Sequence, residues 1–130
     1  MKPIKFLRSA LVVAALACVA ALAPKLGGVS SAEQRTIHLV VKDMTFYVDG
    51  NTTPNPTLYA RPGERIRLIV RNTQSGMSHD FTIDSWKVHT RVLKGVDEDT
   101  IEFTVPATRG SSAYRCTPHA AMMNGTIVVN

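Results

Sequence analysis

Apolar and polar residues alternate along most of the chain from residue 36 onward, which is the period of a β-strand with one buried face. The clearest alternating runs are residues 36–42, 65–71, 101–105 and 126–129. Shorter candidates are residues 57–60, 79–83, 87–93 and 112–115. Turn segments rich in glycine, proline and asparagine separate these runs, and no segment of useful length has the helical period. About seven to eight short strands at this spacing predict an all-β fold, an antiparallel β-sandwich or barrel.

Three polar features are assigned to the surface of this fold. Residues 49–57 are polar and proline-rich, which predicts a surface loop between two strands. Residues 97–99 carry three acidic side chains and predict a short acidic turn. Arg65, Arg67 and Arg71 share one face of a strand. We interpret them as charges that protect a sheet edge from aggregation, with docking of an acidic redox partner as the alternative.

The first 32 residues differ in composition from the rest of the chain. Three basic residues precede an unbroken apolar run over residues 11–23, and a stretch of small residues follows it and ends at Ala32. This is the layout of a secretory signal peptide, and the apolar run is too short to cross a hydrocarbon core of about 30 Å. We expect cleavage after Ala32 and export to the periplasm or beyond, with an uncleaved anchor or lipid attachment at Cys18 as alternatives.

The remaining residues, 33–130, form one predicted domain. Its charge is nearly balanced, because four of the fifteen basic residues lie in the leader while all ten acidic residues follow it. The basic character of the whole chain therefore indicates targeting and gives no support for a nucleic-acid partner. Cys116 is the single cysteine of this domain, so no internal disulfide is possible. A lone thiol in an oxidising compartment is buried, paired between chains or bound to a metal.

The donors needed for a metal site lie close to this cysteine. Cys116, His119, Met122 and Met123 fall within eight residues, between two predicted strands. A second imidazole, His79, opens another predicted strand, after a loop that can reach the same place. Two imidazoles, one thiolate and a weak axial thioether are the donors of a blue-copper site. Zinc fits less well because its structural sites rarely use a thioether, and a binuclear copper centre needs a second cysteine.

These motifs resemble those of the cupredoxins, the small blue copper proteins of the plastocyanin, pseudoazurin, amicyanin and azurin type. Cys-Thr-Pro-His at 116–119 is similar to the same four residues of amicyanin and pseudoazurin, and Met-Asn-Gly-Thr at 123–126 resembles the end of the azurin copper loop. The resemblance covers most of residues 33–130; its upstream part includes residues 61–68, Asn72, residues 79–83 and Gly95. It implies a Greek-key β-sandwich that binds one copper ion.

The resemblance also implies the ligands. His79, Cys116 and His119 match the equatorial ligands, and a methionine matches the axial one. The spacing from His119 alone allows Met122, whereas the x-Gly that follows the axial methionine across the family selects Met123, which we favour.

This chain departs from plastocyanin and azurin at Asp80, where an asparagine commonly follows the first histidine ligand. A carboxylate there is able to brace the copper loop by hydrogen bonds, and when ionised it favours Cu(II) and lowers the reduction potential. Pro118 has no N–H to donate to the thiolate sulfur, which removes one stabiliser of its negative charge.

In the family, the second histidine protrudes through an apolar surface and passes electrons to docked proteins. The matching surface surrounds His119; it consists of Met77, Pro118, Ala120, Ala121 and Met122. The resemblance therefore predicts a monomeric, exported one-electron carrier that is not an enzyme and exchanges electrons with a cytochrome, oxidase or dehydrogenase. Copper storage or delivery is the alternative, although it favours exposed methionine-rich or histidine-rich tracts. A copper enzyme needs a second domain and further histidines, and only His38 and His89 are unassigned.

Overall fold

The computed structural model describes residues 33–130, which form eleven β-strands and two short 3-10 turns. The predicted leader, residues 1–32, lies outside the described residues. Within the described part of the chain, no helix has the length and apolar character needed to cross a membrane.

The strands in chain order are β1 (Arg35–Lys42), β2 (Thr45–Val48), β3 (Leu58–Ala60), β4 (Arg65–Asn72), β5 (Ser78–His79), β6 (Thr82–Ile83), β7 (Val88–His89), β8 (Leu93–Lys94), β9 (Asp97–Thr104), β10 (Gly110–Arg115) and β11 (Asn124–Val129). The two 3-10 turns cover Asp84–Trp86 and Thr117–His119.

The strands form two larger sheets that share one apolar core. The first sheet has the order β2-β1-β4-β9, the second has the order β3-β11-β10-β6-β7, and β5 pairs with β8 separately. Alternate residues of the long strands are buried, and in β4 the inward residues Ile66, Leu68 and Val70 are at most 1% exposed. The buried apolar side chains of both larger sheets form a single cluster, so the predicted all-β sandwich is confirmed.

The sheets are mixed, because two strand pairs are parallel where the prediction had only antiparallel ones. β1 pairs with β4 in parallel, as does β11 with β3, whereas the other pairs are antiparallel. Between β1 and β4 the chain forms a hairpin with β2 and then crosses to the other sheet at β3. Alternation reports which face of a strand is buried, but it carries no information about the direction of the neighbouring strand.

The short strands also differ from expectation. β2 was missed; it has four residues, and its hairpin turn with β1 uses Asp43 and Met44, both with positive φ (50° and 56°). Two-residue turns with positive φ are normally recognised in a sequence by Asn-Gly or Asp-Gly, and Asp-Met does not match this pattern. The predicted strands 79–83 and 87–93 each divide into two strands of two residues that belong to different sheets.

The charged clusters occupy different positions from those predicted. Residues 97–99 begin β9 and are not a turn, because they pair with the end of β4. Arg91 also forms ion pairs with Asp97 (2.6 Å) and Asp99 (3.9 Å). β4 lies between β1 and β9, so its arginines do not protect a sheet edge. In the register of β4 and β9, Arg67 lies opposite Glu102 and Arg71 opposite Glu98 (β9). Charges of both signs therefore alternate across this outer face, which weakens the case for docking an acidic partner there.

Candidate metal centre

Two loops at one end of the strands bring three potential ligands together. His79 ends β5, Cys116 follows β10, and His119 ends the 3-10 turn after it. One ligand atom from each residue lies within 4.8 Å of the others. Within residues 33–130, these three residues form the group of side chains able to hold a metal ion. Cys116 Sγ lies 3.7 Å from Nδ1 of His79 and 3.6 Å from Nδ1 of His119.

The two sulfur-to-nitrogen separations fit one metal ion. A metal bound about 2.3 Å from a thiolate sulfur and about 2.0 Å from an imidazole nitrogen, at trigonal angles, holds the two atoms about 3.7 Å apart. In both histidines Nδ1 faces the sulfur, which leaves Nε2 to carry the ring proton. Nε2 of His79 is buried and has no hydrogen-bond partner among the described residues. The donor set is therefore one sulfur and two nitrogens around a common point.

The loop that carries His79 is held by backbone and side-chain hydrogen bonds. Asn72 is fully buried at the end of β4, and its side chain binds both ends of the following turn: Nδ2 donates to Met77 O (3.0 Å) and Oδ1 accepts from Gln74 N (3.0 Å). The N–H of Gly95 also donates to Met77 O (3.0 Å). β5 then pairs with β8, which places His79 opposite Leu93. Asn72 and Gly95 belong to the part of the sequence that resembles the cupredoxins, and these hydrogen bonds show their role: they position the imidazole of His79.

The ligand loop, residues 116–123, closes on its own backbone. The N–H of Cys116 donates to Met123 O (2.9 Å), and the N–H of Met123 donates to His119 O (2.9 Å). The N–H of His119 donates to Cys116 O (3.2 Å) and completes the 3-10 turn. Pro118 lies in the first part of this turn, where no N–H is required and its fixed φ suits the turn. The backbone of the loop is therefore closed independently of any metal.

Asp80 braces the ligand loop as predicted. Its side chain is buried, with 7% exposed, and its Oδ1 accepts a hydrogen bond from the N–H of Thr117 (2.5 Å). This bond joins the segment that carries His79 to the one that carries Cys116. A negative group held next to a metal site also stabilises the more highly charged state of the metal.

The surroundings set the protonation of the ligands before any metal binds. Burial raises the pKa of the Cys116 thiol; the Asp80 carboxylate adds to this effect, and backbone N–H groups of Asp80 and His119 oppose it. Burial lowers the pKa of the His79 imidazole, the neighbouring His119 lowers it further, and Asp80 opposes both. The metal-free site therefore favours a thiol and a neutral imidazole, and a bound cation takes the place of the thiol proton.

The two candidate methionines differ in burial. Met123 is fully buried in the core cluster, and its backbone binds both Cys116 and His119. Met122 is 59% exposed. An axial ligand must face the interior of the loop, so burial favours Met123, in agreement with the x-Gly pattern.

The glycine of that pattern has a steric role. A Cβ atom on Gly125 would lie 2.3–2.6 Å from ring atoms of Tyr114, closer than nonbonded carbons approach. The Tyr114 ring is buried and stacks on Phe81, with ring centroids 5.2 Å apart. Residue 125, the second after Met123, must therefore be glycine for β11 to pass next to this ring.

Replacing Gly125 with alanine is expected to destabilise the protein by about 2–4 kcal/mol, because the ring is held in the core and overpacking forces backbone shifts. Urea unfolding of the metal-free protein measures this loss. Ser111→Ala, an exposed change in the neighbouring strand β10, should change the free energy of unfolding by less than about 0.5 kcal/mol. Equal effects of the two changes would contradict the steric explanation.

The surface next to His119 is apolar. His119 itself is partly exposed, and its neighbours in the ligand loop are apolar and partly or fully exposed: Pro118, Ala120, Ala121 and Met122. We define the apolar rim as these four residues and Met77, which is partly exposed and lies two residues before His79. His38 and His89 are exposed on β1 and β7, outside the ligand cluster. The structure thus brings together His79 and His119, the two histidines proposed as ligands, and leaves His38 and His89 apart from them.

One contact of the ligand loop was missed by sequence analysis. Asn55 Nδ2, in the predicted surface loop 49–57, donates to Met122 O (3.0 Å). An asparagine between two prolines signals a turn, but no local pattern reports a contact between residues 67 positions apart.

Comparison with known proteins agrees with this geometry. Residues 45–130 match the family of copper binding proteins described as the plastocyanin/azurin family. A search of the curated proteins found no match.

Three solved structures with the same fold illustrate the range of similar proteins: an auracyanin, a rusticyanin and a multicopper oxidase. Auracyanin from Roseiflexus castenholzii is 20% identical, with a TM-score of 0.60, and the match covers 73% of this chain and 96% of that one. Rusticyanin from Thiobacillus ferrooxidans is 24% identical, with a TM-score of 0.53 and coverages of 77% and 79%. The multicopper oxidase McoA from Aquifex aeolicus is 13% identical, with a TM-score of 0.61, and the match covers 74% of this chain but 26% of the oxidase.

Proposed function

The chain belongs to the plastocyanin/azurin family of copper-binding proteins, and from this premise we propose that it is an exported carrier of single electrons. The proposed ligands are His79, Cys116, His119 and, in the axial position, Met123. Bound copper supplies the redox chemistry by alternating between Cu(II) and Cu(I). The observation that carries the proposal is the pair of sulfur-to-nitrogen distances, 3.6 and 3.7 Å, which one trigonal metal ion satisfies.

The protein contributes a fixed and mostly dry set of donors. Soft sulfur ligands suit Cu(I), whereas imidazole serves both oxidation states, so the same geometry accommodates both. His79 and Cys116 are fully buried, and the ligand loop is closed by its own hydrogen bonds. Because few atoms need to move when the charge changes, electron exchange is fast.

His119 supplies the route to a partner. It is the one equatorial ligand with partial exposure, and the apolar rim surrounds it. A small apolar contact aligns two proteins without holding them, which suits a brief encounter with a cytochrome, oxidase or dehydrogenase. Export is supported by the layout of the leader. The burial of Cys116 is compatible with an oxidising compartment, because a buried thiol is protected from reaction.

Two other functions fit the residues less well. Copper delivery needs donors that exchange readily, yet His79, Cys116 and Met123 are each fully buried. An oxidase of the kind noted above combines this fold with a much larger chain, of which the match covers 26%.

Copper loading of the purified protein tests the proposal. We expect one copper per chain, intense colour in the oxidised form, reversible bleaching by a reductant, and rapid oxidation of the reduced form by an oxidised cytochrome c. A colourless copper form that a chelator strips readily would instead indicate delivery.

Replacing Asp80 with asparagine is expected to raise the reduction potential by about 50–100 mV. Asparagine keeps an oxygen to accept the Thr117 N–H, but it removes a negative charge that stabilises Cu(II); a charge effect of about 1–2 kcal/mol corresponds to this shift. Protein-film voltammetry measures it. Asp43→Asn, an exposed change, should shift the potential far less because solvent screens that charge. A lower potential for Asp80→Asn would contradict the electrostatic explanation.

A further inference from the structure

The loop between β2 and β3, residues 49–57, is fastened to the body of the protein at Asn55. The N–H of Asn55 donates to Phe46 O (2.8 Å), and its side-chain Oδ1 accepts from Phe46 N (3.1 Å). Asn55 thus binds both backbone polar groups of Phe46, as a neighbouring strand residue would. Phe46 is fully buried in β2, so this end of the loop is fixed to the core.

A third hydrogen bond of Asn55 reaches the ligand loop. Its Nδ2 donates to Met122 O (3.0 Å), and that carbonyl belongs to the peptide unit that joins Met122 to Met123. The N–H of the same peptide unit donates to His119 O (2.9 Å). Both polar groups of this peptide are therefore bound, one by the outside loop and one by a ligand residue. The orientation of this peptide determines where the Met123 side chain leaves the backbone.

The backbone of Asn55 is held in an unusual conformation. Its φ is +44°, in the left-handed region, where asparagine is among the few tolerated residues other than glycine. The following residue, Pro56, disfavours helical conformations of the residue before it, so the position is doubly restricted. Strained residues of this kind persist where several contacts determine them, and they concentrate at functional sites.

A second anchor ties the loop to the same part of the molecule. The hydroxyl of Tyr114 donates to Pro56 O (2.6 Å), next to Asn55. Tyr114 lies two residues before Cys116, and its ring abuts Gly125, two residues after Met123. The loop is therefore fastened to β10, the strand that leads into the ligand loop, through a ring that also packs against β11.

We propose that Asn55 is a positioning residue for the axial thioether, an inference that rests on the proposed function. By fixing the Met122–Met123 peptide, it sets how closely the Met123 sulfur approaches the metal. Although a thioether is a soft ligand, any additional donor that approaches the metal stabilises the more highly charged Cu(II) relative to Cu(I), and in such sites the axial ligand tunes the reduction potential. Loss of the hydrogen bond from Asn55 loosens this approach and shifts the equilibrium towards Cu(I).

The variant Asn55→Gly tests the proposal, because glycine adopts positive φ without strain and removes only the side chain. We expect the equilibrium for reduction to shift towards Cu(I) by about tenfold, which is 59 mV for a one-electron couple, together with changed visible absorption and electron paramagnetic resonance spectra. In the copper-free protein we expect the Met123 amide to exchange its hydrogen at least about tenfold faster. The control Asn51→Gly, an identical change in the same loop, removes an amide that bonds only to Thr53 and should alter none of these.

A second set of variants separates positioning from general destabilisation. Asn55→Asp keeps the acceptor for Phe46 N but lacks the donor to Met122 O, so it serves if the glycine variant does not fold. Each Asn55 variant is measured with Met123 and again with Met123→Leu, since a residue that acts through Met123 has its effect only when Met123 is present. Any direct effect of the new charge in Asn55→Asp shifts the potential equally with Met123 and with Met123→Leu, so it cancels when the two shifts are compared.

The outcomes are distinct. A potential shift with Met123 that disappears with Met123→Leu supports the proposal. Equal shifts in both backgrounds, or unchanged spectra and potential in Asn55→Gly, overturn it while leaving the proposed function intact. A wild-type protein without a coloured copper form contradicts the proposed function itself.

Discussion

Replacing Cys116 with serine is expected to abolish the intense colour of the copper-loaded protein and to weaken copper binding by at least about 100-fold. The thiolate is the one anionic equatorial donor of the proposed site, and a serine hydroxyl stays protonated at neutral pH and binds copper poorly. Removal of groups that only support metal ligands already weakens binding about 10–100-fold, so loss of a ligand has a larger effect. Competition with a chelator of known copper affinity measures the change.

Two controls make this result specific. Cys18→Ser removes the other cysteine of the chain, in the predicted leader, and should leave the colour and the affinity unchanged. Urea unfolding of copper-free Cys116→Ser shows whether the variant still folds, since burying a hydroxyl in place of the thiol is expected to destabilise it by about 1–3 kcal/mol. A folded Cys116→Ser protein that keeps its colour would show that the sulfur is not a ligand.

Replacing Met123 with leucine is expected to raise the reduction potential by about 100 mV and to change the colour, while Met122→Leu changes neither. Leucine fills nearly the same volume, so the free energy of unfolding should fall by less than about 1.5 kcal/mol. The loss of a weak axial donor destabilises Cu(II) more than Cu(I), and about 2 kcal/mol of this difference corresponds to the shift. Voltammetry and visible spectra of the two variants measure the effect.

The pair of methionine variants is matched, because the residues are adjacent and the substitution is the same. They differ in exposure: Met123 is fully buried and Met122 is 59% exposed. A shift confined to Met122→Leu would reverse the axial assignment and would also remove the basis for the role proposed for Asn55.

For the long strands, the sequence pattern predicted which face of each strand is buried. In β4 the alternation of Ile66, Leu68 and Val70 with arginines identified both the strand and its inward side. Alternation does not encode pairing partners, which is why the parallel pairs and the central position of β4 were not predicted. β2 was missed because four residues with an Asp-Met turn give too little local signal.

The site could be predicted where its donors lie close in sequence. Cys116 and His119 are three residues apart, so one turn brings them together. His79 was proposed as the third donor from its place at the start of a predicted strand, and the resemblance assigned it as an equatorial ligand. The hydrogen bonds that hold these side chains are long-range contacts; Asp80 meets Thr117 across 37 residues and Asn55 meets Met122 across 67. Such contacts depend on how the two sheets pack, which no local pattern specifies.

The position of copper in a crystal of the loaded protein tests the central claim most directly. Anomalous scattering at the copper edge should give one strong peak per chain, bound by Nδ1 of His79, Nδ1 of His119 and Sγ of Cys116. A main peak at His38 or His89, with the cluster around Cys116 free of copper, would contradict the account.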